Sequence, residues 1–116
     1  MENIENDKKI NKLLNEFIKK NENNILTKKI IKNTINYYLC INEYFFNKDY
    51  ENIYKKIENE NYNFTKKEIE IIKLEIKYLI IDHLYNKLYD HKLNILSEND
   101  LNNLISNLLF NEIDNL

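Results

Sequence analysis

TKKEIEIIKLEIKYLIIDHLY, residues 65–85, is the stretch whose reading decides the fold. Thr65 is followed three residues later by Glu68, the spacing at which two side chains can each bond the other's backbone N–H at a helix start. Phe64 and Ile69 stand at the two positions of a hydrophobic staple across that start. Behind the cap, Ile69, Ile71, Ile72, Leu74, Ile76, Tyr78, Leu79, Ile80 and Ile81 place apolar side chains on more than one face of a helix. This predicts a long helix over about 66–93. A helix that is apolar all round needs covering all round, so it belongs at the centre of the molecule.

Working outward, two more helix starts are legible. Ser97 and Asp100 repeat the cap, with Leu96 and Leu101 as staple, and Thr27 has the staple pair Leu26 and Ile31. Ile10, Leu13, Leu14, Phe17 and Ile18 form one stripe at helical spacing, predicting a helix over about 4–21. Apolar residues on more than one face predict a second helix over about 28–46, while Tyr50, Ile53, Tyr54 and Ile57 predict a third over about 49–60. Leu101, Leu104, Ile105, Leu108 and Leu109 return to a single stripe and predict a fifth helix over about 98–113. Strict apolar–polar alternation never persists, and glycine-containing hairpin turns are impossible in a chain without glycine. The expected fold is all-α: one domain, residues 1–116, in a bundle of about five helices with the second and fourth at its centre.

Composition narrows function mainly by what is missing. Glycine, proline, alanine, valine, arginine, glutamine and tryptophan are all absent, and asparagine, isoleucine and lysine make up half of the chain. The missing residues mostly need G or C in their codons, which points to an AT-rich genome, that of a virus, a phage, another mobile element or a reduced bacterium or protist. The all-lysine cation set then reflects codon supply, not a preference for lysine over arginine.

Without glycine there can be no phosphate-binding loop and no strained nucleophile elbow. The lone cysteine, Cys40, lies in an apolar stretch and reads as a buried thiol. His83 and His91 are eight residues apart on one predicted helix. That is about 12 Å along the axis, too far to share one metal ion. The sequence therefore predicts no enzyme activity, no catalytic residues, no metal, no cofactor and no small-molecule substrate. The polar start and the absence of any apolar run near the roughly 20 residues of a membrane span predict an intracellular, cytoplasmic protein.

Two surfaces invite a functional expectation. Nine of the 14 aromatic residues fall between Tyr37 and Phe64, more than so small a domain is expected to bury. Tyrosine combines a large apolar area with a wettable tip, which suits interfaces. Tyr37, Tyr44, Phe45, Phe46, Tyr50 and Tyr54 are thus candidates for a protein interface, with a host protein or a second copy of the chain as partner. The expected function is a non-enzymatic protein–protein interaction module, viral or mobile-element in setting, that binds and inhibits a host protein. The alternative is a small structural subunit of a nucleoprotein complex, contacting RNA or DNA through Lys19, Lys20, Lys28, Lys29, Lys66 and Lys67. A net charge of −2 gives no global attraction to nucleic acid.

Overall fold

In a computed structural model, residues 2–39, 47–90 and 97–112 are described. They form helices α1 (Glu2–Lys20), α2 (Glu22–Ile25), α3 (Lys28–Thr34), α4 (Lys48–Glu58), α5 (Lys66–Asp90) and α6 (Glu98–Asn107). Helix α3 runs on into a π-helical turn, Ile35–Leu39, and α6 into another, Leu108–Glu112. No strand occurs among the described residues. The fold is the all-α bundle that the sequence predicts, and it differs in these π-helical turns and in the first connection. There the chain makes an extra helical turn, α2, which drives Ile25 fully into the core.

All three predicted caps form. Thr65 and Glu68 bond reciprocally, Thr65 N–H to Glu68 Oε1 at 2.9 Å and Glu68 N–H to Thr65 Oγ1 at 3.2 Å. Ser97 Oγ accepts the Asp100 N–H at 3.2 Å and donates to Asp100 Oδ2 at 2.8 Å. Thr27 Oγ1 accepts from Ile30 N–H at 3.4 Å. The staple residue Leu96 lies outside the described residues. A fourth cap, Asn47 Oδ1 accepting from Asp49 N–H at 3.0 Å, opens α4.

The end of α4 shows what a chain without glycine does at a helix C-terminus. Glu60 takes φ 55°, the left-handed position usually given to glycine. Its N–H bonds Ile57 O at 3.0 Å while Asn61 N–H bonds Lys56 O at 2.7 Å, satisfying two carbonyls of the last turn. A residue with a Cβ costs about 1–2 kcal/mol in this conformation, and glycine gives back part of that through its greater freedom when unfolded. Glu60→Gly is therefore expected to stabilise the bundle by about 0.5–1 kcal/mol, read as a rise in the urea midpoint at unchanged slope.

Helix α5 is the hub, packing against α1, α3, α4, α6 and both π-helical turns. The predicted second helix, in its described part, lies beside α5 and contributes Ile30, Ile31, Ile35 and Leu39 to the core. The other helices each add one stripe: Ile10, Leu13, Leu14 and Ile18 from α1, Ile53 and Ile57 from α4, Leu101 and Ile105 from α6. Every buried apolar side chain among the described residues is isoleucine or leucine. The described aromatics are all half-buried or exposed, so they ring the core without filling it.

Candidate functional site

Burial along α5 follows the helical period. Ile72, Ile76, Leu79, Ile80 and Leu84 are at most 1% exposed and form the inner face. The outer face is also apolar. Leu74 is 42%, Tyr78 44% and Tyr85 38% exposed, and three of the four large hydrophobics exposed among the described residues thus share one line on one helix. Ile71 and Ile81, half-buried at the edge of the core, complete that line. From Ile71 to Tyr85 the steps are three, four, three and four residues, which keeps side chains on one side of a helix.

Near the N-terminal half of α5 this face opens into a groove of about 490 Å³ between α5 and α1. Ile18, Ile71 and Leu74 give the groove its apolar part, and Lys19, Lys67 and Lys77 stand among its charged residues. Lys73 is tied across it, donating to Glu22 and, at 3.5 Å, to Glu70. The Glu22 hydrogen bond raises the Lys73 pKa above its ordinary value, against an opposing effect of burial. That clamp joins α2 to α5 and sets one lysine against the two acids of the groove. Lys67 pairs outward with Asp49 at 3.1 Å, so the remaining charge around the apolar part is positive.

Two carboxylates on the same helix are enclosed. Glu75 is 1% exposed; Tyr50 Oη donates to its Oε1 at 3.0 Å, and its Oε2 has no partner. Burial pushes the Glu75 pKa up, and the Tyr50 bond offsets only part of that. Glu68 is 5% exposed, and burial pushes its carboxyl up as well. Hydrogen bonds from Lys56, at 2.6 Å, and from Thr65 outweigh burial there and hold the pKa below the ordinary value. Neither Glu75 nor any serine, threonine or cysteine is among the residues that line the α1–α5 groove. Among the described residues no three His, Cys, Asp or Glu side chains gather as metal ligands.

The residues singled out in the sequence are dispersed. Tyr37 is exposed, with its ring 6.1 Å from that of Tyr38 and 6.0 Å from that of His83. Tyr50 and Tyr54 are half-buried against the core, and Tyr38 donates to Asp82 Oδ2 at 3.0 Å. Tyr44, Phe45 and Phe46 lie outside the described residues, as do Cys40 and His91. Lys19, Lys20, Lys28, Lys29, Lys66 and Lys67 are all exposed. Of these, Lys19 and Lys67 meet in the groove, and the Lys28 ammonium sits 5.2 Å from the Tyr62 ring centre.

No family model matches the chain, and no curated protein and no solved structure matches it either. No described helix is long and apolar enough to cross a membrane.

Proposed function

We propose that this chain is a non-enzymatic protein–protein interaction module whose docking surface is the outer face of α5. The observation that carries the reading is the line Leu74, Tyr78, Tyr85, each about two-fifths exposed on the most central helix of the bundle. Large apolar side chains aligned on a rigid helix and left to water mark an interaction surface more often than chance exposure. Tyrosine is the residue type most useful there, combining contact area with a polar tip. The reading moves the centre of the interface from the 37–64 segment to α5 and keeps Tyr37, the one exposed aromatic described in that segment. The AT-rich composition suggests the setting, a viral or mobile-element protein that binds and inhibits a host protein, with a second copy of the chain as the other partner this face could take. The enclosed Glu75 fits a scaffold group better than a general acid, because a proton donor must reach its substrate.

A photoreactive phenylalanine analogue at Tyr78, with the same analogue at exposed Asn102 as control, tests the reading in extract of the native host. Discrete protein adducts formed from position 78 and not from 102 are the expected result. Identical patterns from both positions would overturn it.

A second reading has one observation in its favour: Lys19 and Lys67 share the groove. Nucleic acid docked there would be released as salt rises.

A further inference from the structure

The outer face of α5 has the geometry of a coiled-coil seam. Ile71, Leu74, Tyr78, Ile81 and Tyr85 alternate steps of three and four residues, which is the a and d pattern of the heptad repeat. Such a seam accepts one kind of neighbour best, another helix with the same repeat, and this chain carries one. We propose that α5 pairs in parallel, about a twofold axis, with α5 of a second copy of the chain. The proposal rests on the reading of this face as protein-binding and names the partner.

The flanking charges favour that occupant and that orientation. Lys77 and Asp82 flank the seam on opposite edges, five residues apart. In a parallel pair, a residue at g of one helix meets the residue five places on, at e, of its neighbour. Lys77 of each copy then faces Asp82 of the other, and the contact is made twice. An antiparallel pair matches g with g and e with e, so Lys77 and Asp82, on opposite edges of the seam, would not meet. Both groups are available for it. Lys77 makes no ion pair among the described residues, and Asp82 engages Tyr38 through Oδ2, leaving Oδ1. The other flanking acid that would have met a like charge, Glu75, is turned into the core.

So short a seam buries little area, and the dimer is expected to dissociate on the order of 10 µM. Sedimentation equilibrium of the whole chain tests it. The expected result is a reversible monomer–dimer equilibrium, weakened at least tenfold by Lys77→Asp and restored in part when Asp82→Lys is added. Tyr78→Cys, at an exposed position and checked for an unchanged unfolding transition, reads the orientation. Parallel pairing brings the two new thiols together and gives a disulfide-linked dimer beyond any formed by the wild type through Cys40; antiparallel pairing does not. A wild-type chain that stays monomeric well above that concentration would overturn the proposal, as would a Tyr78→Cys chain that gains no such dimer. If that monomer still forms specific protein adducts from position 78, only the self-pairing is lost. If it forms none, the protein-binding reading falls with it.

Discussion

Leu79→Glu is expected to abolish the cooperative unfolding transition of this protein. Leu79 is fully buried on the inner face of α5, the helix that touches all the longer helices of the bundle. The substitution removes a leucine from the core, where truncation alone costs about 2–5 kcal/mol. It also forces a carboxylate among isoleucine and leucine side chains that offer it no donor. An unpaired buried charge adds several kcal/mol more. Domains of this size are stable by only about 5–15 kcal/mol in total, so the sum is comparable with the whole. Far-UV circular dichroism on heating should then show a gradual loss of helix with no midpoint.

The two enclosed glutamates should answer acid in opposite directions. Glu68 has its pKa held down in the folded state, so its ionised form contributes stability. That contribution is complete above the ordinary value of 4.5 and is lost as pH falls through the lower, folded value. Glu68→Ala removes one bond of the cap and leaves half-buried Lys56 without its carboxylate. The expected loss at neutral pH is about 1–3 kcal/mol, shrinking as the solution is acidified. Glu75 has its pKa raised by burial, so its ionisation works against the fold. The penalty is absent below 4.5 and grows as pH rises through the folded value. Glu75→Met is therefore expected to stabilise at neutral pH and to lose that advantage in acid, in line with the replacement of other buried charges by apolar groups. Urea midpoints at neutral pH and near pH 3.5 check both signs; a parallel response of the two variants would contradict the assignment.

These behaviours rest on features of unequal legibility. The caps at Thr27, Thr65 and Ser97 could be read directly, because each is a contact between residues three apart. The hub could be read too, since apolar residues on several faces marked α5 as the helix the others pack against, but covering on every face, which the sequence also led one to expect, is not found: the outer face stays exposed. Helix α2 could not, because a four-residue turn is too short to show a period. Nor could the π-helical turns, where packing of Ile35, Leu39, Leu108 and Leu109 into the core sets the backbone after the local signal for α-helix has been met.

The aromatic excess of residues 37–64 was visible, but its use was not. Tyr50 and Tyr38 direct their hydroxyls to Glu75 and Asp82, which lie 25 and 44 residues away in the chain. Only the folded arrangement shows that these phenols serve the bundle. The outer stripe of α5 was hidden for the opposite reason. Its three- and four-residue steps are plain in the sequence, but so are those of the inner stripe, and periodicity alone does not say which of the two the other helices cover. Burial decides that Ile72, Ile76 and Leu79 face in while Leu74, Tyr78 and Tyr85 face out.

Tyr78→Glu, placed beside Leu79→Glu in the same thermal unfolding measurement on dilute protein, tests that division most directly. The two positions are adjacent in sequence and differ by one step of rotation about the helix. If α5 carries one face for the core and one for a partner, Tyr78→Glu unfolds within about 0.5 kcal/mol of the wild type, as surface substitutions do. A Tyr78→Glu chain that loses its cooperative transition, as Leu79→Glu is expected to, would show that the outer face belongs to the core and would contradict the account.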